Sequence, residues 1–298
     1  MSAPPSLPAS VIIASRNRQS LLRDAVSSVL SGDVRPSELI VVDQSPSPDP
    51  YLSHELPRQS HVASYLWSQT QGVSRARNLG VATAKQPALV FIDDDVFVAA
   101  DWLAAIVTQL EKAGEGSVVT GRVEEGQHVI NRGYAPSLTR TLEATIYAGV
   151  QFTDMLSSGN MAIWRTTLED VGGFDERLGP GTAFPAAEDN DLCFRLLQAG
   201  YRVEFTPRAV VYHRPWRPLR DRLNVRWKYG LGQGAFYSKH MAQHRQHMGL
   251  RLRRDIAAHG LAAMQQVVKS PMLAACEVLF TMGLVFGASL WALRHRTG

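Results

Sequence analysis

Three carboxylates stand in a row behind an apolar run in "FIDDD": Asp93, Asp94 and Asp95. Side by side on a loop they repel, and repulsion raises the pKa of at least one of them unless a cation or a network of donors offsets it. The chemistry open to such a cluster is that of a counter-charge. A second acidic group follows in "AAEDNDL", where Glu188, Asp189 and Asp191 fall at or just before the start of a helical pattern. The helix dipole favours carboxylates there by a few tenths to about 1 kcal/mol. Capping explains one of the three and leaves the others to be explained.

These residues need elements that present them. "SVIIAS" has the pattern of a buried strand, and "RNRQSLLRDAVSSVLSG" that of a helix with apolar residues at helical spacing and Gly32 at its end. "ELIVVDQS" and "VASYLWS" follow as strands. "GVSRARNLGVATAK" is a helix for which Ser74 is a candidate cap, and "ALVFIDDD" is a fourth strand. Strand and helix alternate, which predicts an α/β fold with a mostly parallel sheet covered on both faces. Ligands of such open sheets bind beyond the carboxyl ends of the strands, and there the pattern places Asp43 and the Asp93 cluster. After "DWLAAIVTQLEKAG" and the strand "SVVTGRV" the pattern is less regular. "DLCFRLLQAG" then reads as a helix stopped at Gly200.

With 298 residues, 45% apolar and 19% charged, the chain is long enough for one large domain or two modest ones and is not a disordered protein. Its net charge of +4 suits phosphates, nucleotides or acidic lipid head groups. Charges of mixed sign over the first two hundred residues are not a nucleic-acid footprint, and no nucleic-acid partner is expected. Cys193 and Cys276 are far apart in sequence and suggest neither a disulfide nor a zinc site. "MSAPPSLPAS" lacks the basic and long apolar regions of a signal peptide, so a cytoplasmic location is expected.

From Arg214 onward Arg, Trp and Leu become frequent. "RWKYGLGQGAFYSKH" suits a segment at anionic lipid, a lid or an ordinary basic surface helix. The apolar stretch from Met272 to Leu293 is long enough to cross a hydrocarbon layer of about 30 Å, although Glu277 lies inside it. Lys269 on one side and Arg294 and Arg296 on the other leave its orientation undefined. A helix covering the core or an oligomer interface is the alternative to an anchor at the cytoplasmic face of the membrane. Two regions are expected: an α/β domain over residues 1–215 and a basic, apolar helical region over 216–298.

Taken in order, "VIIASRNR", "VVDQS", "GVSRARNLG", "IDDD", "GGFDE" and "EDNDL" resemble the motifs of the inverting family 2 glycosyltransferases, which have the GT-A fold. The resemblance covers roughly residues 9 to 215 and rests on the joint order of motifs that are individually weak. It implies transfer of a sugar from a nucleoside-diphosphate sugar of UDP or dTDP type to a hydroxyl of a glycan or lipid-linked acceptor, assisted by Mg²⁺ or Mn²⁺. By the same resemblance Ser15 and Asp43 belong to the nucleotide site, with Asp43 accepting from the imide N–H of the base. Gln44 stands where many relatives have a second acid. Arg77 and the helix start beside it are aimed at the nucleotide, Asp93 at the ribose, and Asp94 supports the site. Asp95 holds the metal and His213, in "VVYHRP", completes it. Asp189 is the base that takes the acceptor's proton, Glu188 is the alternative, and Asp191 caps or orients the loop. Trp102, Trp164 and Phe174 are expected to be core or pocket walls. Two other classes remain: a nucleotidyltransferase, for which "ASRNRQS" lacks the glycine-rich phosphate loop, and a non-catalytic binder of sugar nucleotides or glycans.

Overall fold

A computed structural model of the chain describes residues 5–126 and 133–295. Arg296 and the first four residues of the N-terminal stretch lie outside the described residues. The strands are β1 (Ser6–Ser15), β2 (Arg35–Asp43), β3 (Ala63–Trp67), β4 (Ala88–Asp93), β5 (Val96–Val98), β6 (Ser117–Glu125), β7 (Thr145–Tyr147), β8 (Asn160–Trp164) and β9 (Arg202–His213). The helices are α1 (Gln19–Leu30), α2 (Pro50–His54), α3 (Leu56–Gln59), α4 (Val73–Thr83), α5 (Trp102–Ala113), α6 (Arg165–Asp170), α7 (Glu188–Gln198), α8 (Arg222–Met241), α9 (Arg245–Gln266) and α10 (Pro271–Arg294). They form two compact units, Met1–Phe174 with Leu192–Arg217, and Asp175–Asp191 with Pro218–Gly298. The sequence suggests a single boundary after residue 215; the second unit also takes in a short segment from the middle of the chain.

In the first unit the strands make one mixed sheet in the order β3-β2-β1-β4-β8-β6-β9-β5, with β7 on β9. Strands β1 to β4 run parallel where they pair. β8 is antiparallel to both β4 and β6. Strand β1 shows why its sequence is an unbroken apolar run. Val11 and Ile13 pack with Leu22 and Val26 of α1 and Ile106 of α5, while Ile12 packs on the other face with Ala76 of α4 and Leu192 and Leu196 of α7. A strand covered on both sides has no wet face on which to place polar residues. Gly80 lets α4 lie close, because a Cβ there would meet Ile12 Cγ2 at 2.5 Å.

Helix α4 differs from expectation at its start. It begins at Val73 behind Gly72, whose φ of 120° suits glycine alone, so Ser74 is buried within the first turn and is not the cap. Trp102 and Phe174 are core residues, as expected. The sheet register brings the polar strand ends together: Ser15 pairs with Asp43, and Ala14 with Asp93.

The second unit is helical. Gly230 and Gly234 of α8 face Gly283 and Gly287 of α10 with backbones in contact. A Cβ on Gly234 would lie 2.0 Å from Leu284 O, and one on Gly287 would lie 2.1 Å from Leu231 O. Two small-xxx-small patterns facing each other permit this approach. Beside it Phe184, Leu231, Ala235 and Trp291 form a separate core.

Candidate functional site

The first unit gathers its polar groups where β2, β1 and β4 end. Asp94 and Asp95 form the turn between β4 and β5. Ser15 Oγ donates to Asp94 Oδ2 at 2.6 Å, and Arg18 Nη1 donates to Asp94 Oδ1 at 2.6 Å and to Asp95 Oδ2 at 3.3 Å. Arg18 is itself held over the Trp216 ring, 4.8 Å from its centroid. Part of the repulsion inferred from "DDD" is thus relieved by a guanidinium. Burial nevertheless pushes the Asp94 carboxyl above its usual range, against the pull of Arg18 and with Asp95 adding to the rise. Asp95 moves the other way. Burial raises it, but His213, Arg18, a hydrogen bond from Trp216 and Arg217 together outweigh that and leave it lowered. The Trp216 Nε1–H···Oδ2 distance is 2.8 Å.

Asp93 ends β4 and points to solvent more than its neighbours do. Arg77 Nη2 donates to its Oδ1 at 2.9 Å, and Arg77 also lies 5.3 Å from the centroid of the Phe174 ring. Gly159 makes room for this carboxylate, since a Cβ there would lie 2.5 Å from Asp93 Oδ2. The turn "GGF" is tied to the same helix: Asn78 Nδ2 donates to Phe174 O at 2.9 Å and Asn78 Oδ1 accepts from Phe174 N at 3.0 Å. Arg195 closes it from α7 by donating to the carbonyls of Val171 and Gly173.

Strand β5 pairs antiparallel with β9, with Val96 opposite His213. That register puts His213 Nε2 3.7 Å from Asp95 Oδ1, both residues being buried. His213 Nδ1 lies 3.0 Å from Arg214 O. A carbonyl only accepts, so Nδ1 donates to it, and Nε2 is the ring nitrogen that faces Asp95. A second-sphere carbonyl on the far ring nitrogen is the usual arrangement for a metal-ligating histidine. Among the described residues no group of three or more His, Cys, Asp or Glu side chains is placed to hold a metal ion. Asp95 and His213 make two such groups, and divalent cations bound through phosphates commonly take one or two protein ligands and fill the rest from phosphate and water.

Asp43 is placed differently from what a base contact would require. It has no exposed surface. Oδ1 accepts from Ser45 N at 2.8 Å and Ser45 Oγ at 2.5 Å, and Oδ2 accepts from Tyr65 Oη at 2.7 Å. Burial, followed by the hydrogen bond to Asp43, raises the pKa of the Tyr65 phenol. Asp43 thus shapes the loop after β2. The open space beside it is a cavity of about 220 Å³ lined by Arg16, Gln44, Ser45, Pro46, Gln69 and Gln71. Asn17 closes the loop after β1 with φ 60°, a conformation asparagine tolerates, and its N–H donates to Ser45 Oγ at 2.9 Å.

Glu188 and Asp189 belong to the second unit, at the start of α7. Ala187 precedes them with φ 69°, a left-handed conformation that strains a residue bearing a Cβ by roughly 1–2 kcal/mol. Helix α8 supports this corner. A Cβ on Gly232 would lie 2.5 Å from Ala186 O, and Asn190 Nδ2 donates to Gln233 Oε1 at 2.5 Å. Asp191 is fully buried and accepts from Lys239 Nζ at 2.5 Å and His240 Nε2 at 2.7 Å. Lys239 also reaches Asp175 Oδ2 at 2.6 Å. Asp191 orients the loop through α8, and the acidic first turn has cations as well as the helix dipole.

Sequence reasoning missed Arg18, Asn160, Trp216 and Lys239. Asn160 joins three strands and α5: its Oδ1 accepts from Trp102 Nε1 at 2.8 Å, and its Nδ2 donates to Ala209 O at 2.8 Å and Arg122 O at 3.0 Å. A polar residue opening the apolar run "NMAIW" is a signal that could have marked it. Arg18 had a weaker one, a basic residue just beyond a strand end. Nothing in the local sequence distinguishes Lys239.

The model of the family described as "Glycosyl transferase family 2" matches residues 10–171. A pre-mycofactocin glycosyltransferase of Mycobacterium tuberculosis is 27% identical over 245 residues, which is 76% of this chain and 48% of that protein. The chain therefore spans about half the length of this curated relative. Among solved structures, the mannosyltransferase PcManGT of Pyrobaculum calidifontis, in complex with GDP-Man and Mn²⁺, superposes with a TM-score of 0.59 at 16% identity, over 94% of this chain and 87% of that one. GalNAc-T7 with UDP, GalNAc and Mn²⁺ gives 0.54 at 20% identity, over 71% and 43%. Both likenesses are of fold, and the fold is GT-A.

Proposed function

The chain belongs to glycosyl transferase family 2, and from that premise we propose that it moves a sugar from a nucleoside-diphosphate sugar to a hydroxyl of a glycan or lipid-linked acceptor, with inversion at the anomeric carbon. The observation that carries this reading is the meeting of Asp95 with His213 Nε2 beside Asp93 and Asp94. A sugar nucleotide departing as a diphosphate builds negative charge, and this corner is built to hold the opposite charge. Asp95 and His213 would hold a Mg²⁺ or Mn²⁺ ion, which would supply Lewis-acid stabilisation of that leaving group. Asp93, held by Arg77, takes the ribose. Asp94, anchored by Ser15 and Arg18, fixes the turn from which Asp95 projects. The nucleotide base takes the cavity beside Asp43, where Gln44 and Ser45 offer polar atoms. Asp189 removes the acceptor proton, and Glu188 is the alternative base. The crystallised neighbours with UDP and with GDP-Man, each with Mn²⁺, support a nucleoside-diphosphate donor and a divalent metal. The donor proposed is of UDP or dTDP type.

The test is a thermal-shift panel of UDP, dTDP and GDP sugars with and without Mn²⁺, followed by labelled donor with glycan and polyprenyl-phosphate-linked acceptors. A shift that needs both nucleotide and metal, with label appearing in acceptor, is the expected result. Binding without any transfer would favour a sugar-nucleotide binder, and release of pyrophosphate from a nucleoside triphosphate and a sugar phosphate would favour a nucleotidyltransferase.

A further inference from the structure

We propose that the outer face of α10 docks on an anionic bilayer with the helix lying in the plane of the surface and not crossing it. The inference is independent of the proposed sugar transfer. Helix α10 is the one helix among the described residues long and apolar enough to span a membrane. Its inner face, with Ala274, Phe280, Gly283, Leu284, Gly287 and Trp291, is buried. Its outer face is apolar too. Met272, Val278, Met282, Val285, Phe286 and Leu293 are each 47–64% exposed and recur at helical spacing. Met264 near the end of α9 and Val267 and Val268 in the turn leading into α10 are exposed as well, the last of them 89%. Single exposed apolar residues are ordinary, whereas a continuous stripe along a whole helix marks a surface that something apolar covers.

Charge identifies the cover. Residues 218–298 hold twelve Lys and Arg against three Asp and Glu, while residues 1–217 hold nineteen against twenty-four. The positive excess is thus confined to the region bearing the stripe, and Lys269 and Arg294, both exposed, bracket α10. An apolar face among cations is the composition of a helix lying at the interface of anionic lipid. A second copy of the chain fits less well, because a two-fold contact through this face would bring like charges together.

The packing argues against a span. Helix α8 touches the backbone of α10 at two glycine pairs, and α8 carries Arg222, Arg226, Lys228 and Lys239. Arg226 Nη2 meets Glu277 Oε2 of α10 at 2.9 Å, and His259 Nδ1 of α9 lies 2.5 Å from the same oxygen. Drawing α10 into hydrocarbon would draw these charges with it, or break the contacts that pair them. Lying flat, α10 keeps both.

The experiment uses the full chain. Co-sedimentation with phosphatidylcholine vesicles, with and without phosphatidylglycerol, should show binding only to the anionic vesicles and weakening as salt rises. Met282→Glu combined with Val285→Glu should reduce bound protein at least about tenfold, with circular dichroism and melting unchanged. Arg253→Glu with Lys269→Glu should reduce it without touching the apolar stripe. In membranes from expressing cells, alkaline carbonate should release the protein. Absence of vesicle binding, or undiminished binding by the Met282/Val285 variant when folded, would overturn the proposal. Resistance to carbonate would replace the in-plane helix by a spanning one. A dimer in light scattering that the same variant dissolves, with no affinity for vesicles, would assign the face to a second copy.

Discussion

His213 Nε2 stands 3.7 Å from Asp95 Oδ1 because Val96, one residue past Asp95, is paired with His213 in the β5–β9 ladder. More than a hundred positions separate the two in sequence, and one strand register removes the separation. With Nδ1 donating to Arg214 O, Nε2 is the ring nitrogen that His213 offers beside Asp95. His213→Ala should therefore raise the Mn²⁺ concentration that half-saturates UDP-dependent thermal stabilisation by at least about tenfold, since even outer-sphere losses at metal sites reach that size. An unchanged titration removes His213 from the metal site.

The two base candidates, adjacent on α7, are separated by substitution. Asp189→Asn should lower turnover by about 10²–10⁴, the range typical for loss of a general base, and leave nucleotide affinity near that of the parent. Glu188→Gln should have a smaller effect on turnover. If Glu188→Gln is the inactive variant and Asp189→Asn turns over normally, the assignment is reversed.

Lys239 lies between the buried Asp191, 2.5 Å away, and the half-buried Asp175, 2.6 Å away. Lys239→Met removes the cation and leaves the charges, which in buried pairs costs about 3–5 kcal/mol. Melting of this variant should fall accordingly. Asp191→Asn added to it should recover part of the loss, because a neutral amide tolerates the missing partner. No recovery would mean that Lys239 acts through packing alone.

Acid should act on the same corner. Asp175, though burial raises it, is held well below the usual carboxylate range by hydrogen bonds from Arg177 and Lys239 and by the charge of Lys239. A carboxylate lowered in the folded state gives stability that is complete above its unfolded pKa and is lost as pH falls through the folded value. Urea midpoints of the parent should therefore drop between about pH 4, the ordinary Asp value, and more acidic conditions. Asp175→Asn should be less stable at neutral pH and should show a shallower fall. Parallel curves for the two would exclude Asp175 as the source.

The glycine contacts of α8 and α10 make the sharpest stability contrast. Gly234→Ala puts a methyl 2.0 Å from Leu284 O and 2.8 Å from Ala288 N, both backbone atoms that cannot swing aside. Overpacking of this kind typically costs 1–3 kcal/mol or somewhat more. Gly249→Ala, in α9 with nothing within 4 Å of the new methyl, should instead stabilise by about 0.5–1 kcal/mol. Equal effects at the two positions would deny the close crossing.

The sequence by itself determined the parallel half of the sheet and the strand ends at which Asp43 and Asp93 stand, because a strand buried on both faces must be apolar throughout and must turn polar where it emerges. It also marked the acidic start of α7, since helix periodicity and the Gly200 stop are local signals. It missed β5, β7 and β8, whose strands of three to five residues carry little periodicity of their own and exist by pairing with distant partners. Only the tertiary structure decided that Arg18 answers Asp94, that Asp43 is turned inward to Ser45 and Tyr65, and that Asp191 is held by Lys239 and His240. It also decided that the apolar stretch ending in Leu293 is bound along one side to α8, a fact set by glycines that composition reads merely as small residues. Each of these depends on which side chain fills the space beside another. Local propensity carries no information about that, because long-range contacts are selected by packing and charge after the elements have formed.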